Sequence, residues 1–273
     1  MSQDPEIAVI IPTLDCADSL IRLLDSLRCA DRSRLELLVV DGGSTDGTVQ
    51  RAAERGAKCI EAKGDRAKAR NIGAANTAAP VLLFLDADMI ADPGLIAECV
   101  ARISDRDALI IPERTKSGNN LWARARALER DGLSGDPRYE TPRCFTKNLF
   151  NRAGQFDSSM VGLEDIDLRE RIIRLGANLG WTKSTVTHDE ESVGFGNYLQ
   201  KRAIYGKVDS TFKRRYPSAW ASMRSPTHRL KRAVRSARSY GATKGSLLIA
   251  ALILQRGSEV LLRLAARKRS YAC

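Results

Sequence analysis

Two carboxylates two positions apart, in Asp86-Ala87-Asp88, stand directly after the apolar run Val81-Leu82-Leu83-Phe84-Leu85. Acids at the end of a buried strand can both face a divalent cation and a diphosphate. Their hard oxygens suit Mg²⁺ or Mn²⁺, and such a cation neutralises charge on a departing diphosphate. Asp-x-Asp alone is also an ordinary solvated loop sequence, and its place after the strand is what favours chemistry here. A second cluster, Asp41-Gly42-Gly43-Ser44-Thr45-Asp46-Gly47-Thr48, follows another apolar run and opens a helix. Its glycines permit close backbone approach and positive φ, and Asp41 can accept a hydrogen bond from a base edge or a ribose hydroxyl. A tight turn with a helix cap accounts equally well for residues 44–48. The cluster is neither a Gly-x-Gly-x-x-Gly fingerprint nor a Walker loop.

Glu164, Asp165 and Asp167 open a third acidic segment. Acid in a first helical turn also favours the helix dipole, so position alone leaves both readings open. The chain has two histidines. His188 follows a predicted strand and precedes a loop with Gly194 and Gly196, which suits a ligand; His228 is expected to be exposed. Lys201, Arg202 and Lys207 follow that loop and either meet a diphosphate on closure or form a solvated basic face. Arg143 is a candidate contact for an acceptor phosphate, and Trp122 and Trp181 read as packing residues. No Ser-His-Asp or Cys-His arrangement offers a covalent nucleophile. The six cysteines form no Cys-x-x-Cys pair, which argues against a zinc or redox motif and suits a reducing cytosol.

Positioning these acids takes a repeating scaffold. Apolar runs over residues 6–11, 35–40, 59–60 and 81–85 read as strands, with helices over 18–29, from Thr45 or Asp46 to about 55, and over 67–76. Strands alternating with short helices predict an α/β fold with a parallel, doubly wound sheet, in which ligands sit beyond the carboxyl ends of the strands. The polar clusters fall at those ends. Further on, helices are expected at 92–102, 121–130, 164–175 and 198–216, and strands at 109–112, 143–150 and 178–186. Residues 189–197 read as a polar lid.

Ile10-Ile11-Pro12-Thr13-Leu14-Asp15, Val39-Val40-Asp41-Gly42-Gly43-Ser44-Thr45-Asp46-Gly47-Thr48, Ala69-Arg70-Asn71-Ile72-Gly73 and Leu85-Asp86-Ala87-Asp88, in this order, resemble the family-2 inverting glycosyltransferases with the GT-A fold. Gly154-Gln155-Phe156-Asp157 and Gly162-Leu163-Glu164-Asp165-Ile166-Asp167-Leu168 resemble that family's acceptor-side Glu-Asp block. The likeness covers roughly residues 6–205. It implies that Pro12, Thr13, Asp15 and Asp41 line a nucleoside pocket, with Asp15 standing where the family often has Asn or Glu. It places Arg70, Lys68 and Ala87 near the nucleotide and Asp86 on ribose or metal. It makes Asp88 and His188 metal ligands, and Asp165 the general base with Glu164 in support. It also implies a UDP- or GDP-type sugar donor and a Mg²⁺ or Mn²⁺ cofactor. A sugar-nucleotide pyrophosphorylase, which has a similar sheet, is the competing enzymatic reading. Such enzymes normally carry an N-terminal glycine-rich basic loop, and residues 11–20 contain no glycine.

The net charge of +11 is unevenly spread. Residues 201–273 hold 18 Lys or Arg against Asp209 and Glu259, whereas residues 1–200 are mildly acidic. The reading is a catalytic domain over 1–215 and a basic helical tail over 216–273. Such density fits an anionic surface: we expect residues 201–269 to meet the inner face of a membrane, bringing the site to a glycan or lipid-linked acceptor, with homo-oligomer contact as the alternative use of the apolar runs at 247–254 and 260–264. A nucleic-acid partner is disfavoured, because it leaves the strand-end acids without purpose and because only 5% of residues are aromatic. The N-terminal residues lack a signal-peptide pattern, and no apolar run approaches the roughly twenty residues a membrane span needs.

Overall fold

The structure, a computed structural model, describes residues 5–28, 34–190 and 209–270. In chain order it runs β1 (Ile7–Thr13), α1 (Ala17–Ser26), β2 (Leu35–Asp41), α2 (Thr48–Ala53), β3 (Lys58–Glu61), α3 (Arg66–Ala75), β4 (Val81–Phe84), β5 (Met89–Ala91), α4 (Leu95–Arg102), β6 (Ala108–Ile110), β7 (Glu113–Ser117) and α5 (Leu121–Leu133). There follow β8 (Pro142–Thr146), α6 (Lys147–Arg152), α7 (Glu164–Arg174), β9 (Leu179–Trp181), β10 (Val186–Glu190), α8 (Asp209–Arg215), α9 (Pro217–Met223), α10 (Pro226–Ala237) and α11 (Ala242–Ser270). Two compact units result, one of Met1–Glu113 with Glu140–Asp189 and one of Arg114–Tyr139 with Glu190–Cys273. The division therefore differs from the 1–215 and 216–273 of the sequence reading: residues 114–139 group with the C-terminal helices.

The first unit is built on a sheet of order β3-β2-β1-β4-β8-β6-β9. β1 pairs in parallel with β2 and β4, so the chain turns one way after β1 and the other way after β4. That reversal opens a crevice at the carboxyl ends of the two strands. β8 runs antiparallel to both β4 and β6. The central strands are apolar on both faces, as buried parallel strands must be. Ile7, Val9 and Ile11 of β1 join one core with α1 and α4, while Ala8 and Ile10 join a second with α3, α6 and α7. Phe84, Phe145, Phe150 and Phe156 cluster in the second core, with Phe84 and Phe156 edge to face at 5.0 Å.

Three sequence expectations are corrected. The strand foreseen over 143–150 ends at Thr146, whose hydroxyl accepts from Leu149 N at 3.2 Å and caps α6. The strand foreseen over 178–186 is two, β9 and β10, and His188 lies inside β10 rather than after it. β5 and β7 were not foreseen; β5 pairs antiparallel with β10 in the register His188↔Met89. Lys201, Arg202, Lys207 and most of the foreseen lid lie outside the described residues.

The second unit is helical. α5, α10 and α11 enclose a small core of Ala125, Leu128, Ala233, Ala237, Leu248, Ala251 and Leu252, with Trp122 packed against it. The small residues let the helices approach closely. A Cβ on Gly132 would come within 2.9 Å of Arg232 O, and one on Gly245 within 2.7 Å of Ala237 O. His228, expected to be exposed, is instead tied down: its Nε2 lies 2.9 Å from Asp136 Oδ2 and 2.7 Å from Arg138 Nη2. Among the described residues no helix is long and apolar enough to cross a membrane.

Candidate active site

The loops after β1 and β2 are stitched to each other by exchanged acids. Asp15 accepts from Thr45 N at 2.8 Å, and Asp46 accepts from Ala17 N at 2.9 Å. Asp15 adopts φ +44, a left-handed conformation that side chains other than glycine rarely take. Beneath them, Asp41 is buried and takes four internal hydrogen bonds, from the hydroxyls of Thr13 and Ser44 and the main-chain N–H of Gly43 and Ser44, all at 2.6–2.9 Å. Burial alone would raise its pKa, but these donors outweigh it and hold the carboxyl below its usual range. A carboxylate offers about four lone-pair sites, so Asp41 reaches a base edge or ribose only by exchanging one of these bonds. Its visible work is to shape the turn. Burial also pushes the nearby Cys16 thiol up to about 11, which leaves it no thiolate at neutral pH.

The Arg-Asn-x-Gly run on α3 has a separate task for each residue. Gly73 is required by packing, since a Cβ there would stand 2.4 Å from Ile10 Cγ2 of β1. Asn71 clamps the main chain of Phe156, donating to its carbonyl at 2.9 Å and accepting its N–H at 3.0 Å. This fixes α3 to the segment that leads into α7. Arg70 is 0% exposed. It lies over the Phe156 ring at 5.2 Å and forks to two acids, donating to Asp86 Oδ1 at 2.6 Å and to Asp165 Oδ1 at 2.8 Å. Arg70, expected beside the nucleotide, joins Asp86, just past β4, to Asp165 of α7. Lys68 is exposed and lies apart from these contacts, and Ala87 packs its methyl into the first core.

Around Arg70 the charges alternate. Arg66, one turn earlier on α3, donates from Nε and Nη2 to Glu164 Oε1 at 2.9 and 2.6 Å, and its Nη1 lies 3.9 Å from Asp86. Arg143 of β8 reaches Asp86 Oδ2 at 3.6 Å and donates to Glu113 at the start of β7. Glu113 Oε2 lies 3.1 Å from His188 Nε2, and His188 Nδ1 lies 3.4 Å from Asp88 Oδ1. Burial would raise the Asp86 pKa, but the guanidiniums of Arg70, Arg66 and Arg143 reverse this and hold it far below the carboxylate range. Asp88 is held down in the same way, with His188 as the compensating partner. Both are therefore anions at neutral pH. The side chains differ in access: Asp86 and Glu164 are nearly closed at 15% and 2% exposed, whereas Asp165 and Asp88 present 28% and 49%.

Arg66 and Glu113 belong to this network although the sequence reading passed over both. Arg66 stands four residues before Arg70, the spacing of one helix face, and that signal was legible. Glu113 meets Arg143 and His188, far along the chain, and no local pattern marks it.

Among the described residues no group of three His, Cys, Asp or Glu donors converges as a metal cage. Both Asp86 oxygens face guanidiniums, Oδ1 that of Arg70 and Oδ2 that of Arg143. Asp88 and His188 remain together. A cation bound here would replace the Nδ1 proton that now faces Asp88, with Nε2–H still held by Glu113. This pair fits a cation that keeps water and phosphate oxygens in the rest of its shell, as Mg²⁺ does.

Residues 8–161 match the model of Glycosyl transferase family 2, and the chain belongs to that family. It is 28% identical over 240 residues to the pre-mycofactocin glycosyltransferase of Mycobacterium tuberculosis, across 80% of this chain and 50% of that protein. It thus spans about half the length of that curated relative. An uncharacterized glycosyltransferase of the same organism is 27% identical over 242 residues, covering 80% of this chain and 87% of the relative. Among solved structures, the mannosyltransferase PcManGT from Pyrobaculum calidifontis in complex with GDP-Man and Mn²⁺ superposes with a TM-score of 0.61 at 19% identity, over 97% of this chain and 87% of that one. S. aureus TarS 1-349 in complex with UDP-GlcNAc gives 0.55 at 15% identity, over 98% and 91%. These similarities bear out the GT-A-type α/β fold.

Proposed function

We propose that the chain transfers a sugar, with inversion, from a UDP- or GDP-type nucleotide sugar to an acceptor hydroxyl, with Asp165 as the general base. The observation that carries this reading is the shared guanidinium of Arg70, which brings the acid of the β4 edge and the acid of α7 to one place. Family membership supports sugar transfer, and the nucleotide sugars in PcManGT and TarS support the donor class. The stitched loops carrying Pro12, Thr13, Asp15 and Asp41 offer the walls of a nucleoside pocket. Asp88 and His188 would hold Mg²⁺ or Mn²⁺, which supplies positive charge to the leaving diphosphate; the Mn²⁺ of PcManGT supports this.

Inverting displacement needs one base on the face opposite the leaving group. Asp165 keeps an accessible carboxylate, and its Oδ1 is fixed by Arg70. It takes the proton of the acceptor hydroxyl as the new bond to the anomeric carbon forms and the bond to the diphosphate breaks. Glu164, buried and paired to Arg66, keeps that guanidinium near the acids. Arg66, 40% exposed, is the most open arginine of the network and faces developing negative charge. A lipid-linked or cell-surface glycan is the acceptor class that fits the basic helices.

The test is Asp165→Asn, assayed for transfer and for donor binding by calorimetry. Removal of a general base is expected to lower turnover about 10²–10⁴-fold with donor affinity preserved. Transfer at the parent rate would remove Asp165 from the base position.

A further inference from the structure

We propose that the outer faces of α10 and α11 form a docking surface for an anionic lipid leaflet. Residues 210–258 contain 11 Lys or Arg and no acid. The three acids of residues 114–139 are turned inward or bonded. Glu129 and Asp136 are buried and paired with arginines, and Asp131 accepts from Thr115 N. Arg229 and Arg256 turn inward to Glu129, while Lys231, Arg235, Arg238 and Lys244 are exposed.

Apolar side chains share that outside. Among the described residues eleven large hydrophobic side chains are exposed, and seven of them lie in this smaller unit. On α11, Leu248, Ala251, Leu252 and Gln255 face the core, while Leu247, Ile253 and Leu254 on the opposite face are 58%, 54% and 62% exposed. Residues 245–255 carry no charge at all. On α10, Ala233 and Ala237 face inward, and Leu230 and Val234, four residues apart, are 43% and 42% exposed beside Lys231 and Arg235. A helix with an apolar outer face flanked by Lys and Arg lies in a membrane interface, held by buried apolar area together with attraction to anionic lipid. No described helix can span a bilayer, so the contact is superficial. A second copy fits less well, because it would set one basic face against another. The inference is independent of sugar transfer, since lipid binding is read without donor or acceptor.

The test is co-sedimentation of the full chain with vesicles of phosphatidylcholine alone and of phosphatidylcholine mixed with phosphatidylglycerol. Binding to the anionic vesicles is expected to be at least about tenfold tighter and to weaken with added salt. Leu247→Glu with Leu254→Glu is expected to lower it at least about tenfold with an unchanged unfolding midpoint, because both side chains are more than half exposed. Should that variant fold poorly, Lys231→Gln with Arg235→Gln reads the same surface and is expected to cost at least about fivefold. Equal binding to both vesicles, binding to neither, or parent-like binding by the variants overturns the proposal. So does a dimer that the leucine variant dissociates in a chain that ignores vesicles, an outcome that assigns the face to a second copy.

Discussion

Both units bury acids against arginines, yet they do so to different ends. In the helical unit Glu129 accepts from Arg229 at 2.9 Å and from Arg256, and Asp136 accepts two bonds from Arg138 at 2.9 and 2.8 Å besides facing His228. These carboxylates are closed, at 7% and 4% exposed. In the sheet unit Asp86 is just as surrounded, but the chain of ion pairs ends on two acids that stay open, Asp165 and Asp88. Ion pairing alone does not separate glue from machinery; the accessible terminus of the network does. Since a buried pair adds little net stability while its disruption is costly, the two units should answer differently to the loss of one partner.

Arg70→Met is the most disruptive change. It leaves Asp86, Asp165 and Glu164 with reduced compensation in a closed site and is expected to cost about 3–5 kcal/mol in denaturant unfolding, with turnover lost as well. A cost below about 1 kcal/mol would mean that Arg66 and Arg143 suffice. Glu129→Gln tests the other side. It is expected to cost about 1.5–3 kcal/mol while turnover at saturating donor stays at the parent value, and a large loss of turnover would blur the contrast. The smallest effect concerns acid. Burial would raise the Asp136 pKa, but the hydrogen bonds from Arg138 and His228 hold it well below the carboxylate range. The stability it adds is present above the ordinary carboxylate pKa of the unfolded chain and is lost as pH falls toward the depressed folded value. Asp136→Asn should flatten that part of the stability profile in acid, and an unchanged slope would place the acid sensitivity elsewhere.

The doubly wound half was legible because β1, β2 and β4 are continuous apolar runs that stop at polar turns, and the crevice followed from where they stop. The break falls at Thr146-Lys147-Asn148, a polar interruption between Phe145 and Leu149, and its cap from Thr146 to Leu149 N shows only in three dimensions. β5 has three residues, too few to show a period, and it exists through pairing with β10. In the site, acid types and order were readable, but partner choice was not. Asp41 and Arg70 looked like ligand contacts because their types suit that task, and only three-dimensional packing shows the bonds they already make. Glu113 could not be found from neighbours, since what marks it is an arginine on β8 and a histidine on β10.

The planar fork of Arg70 fixes more than charge. Two carboxylates carried by different parts of the chain are gauged against a single rigid group, so their separation follows the span of a guanidinium. A substitution that tilts this plane displaces both acids at once. A change that shifts Asp86 would then also shift Asp165, the proposed base, and selection could not easily retune one without disturbing the other.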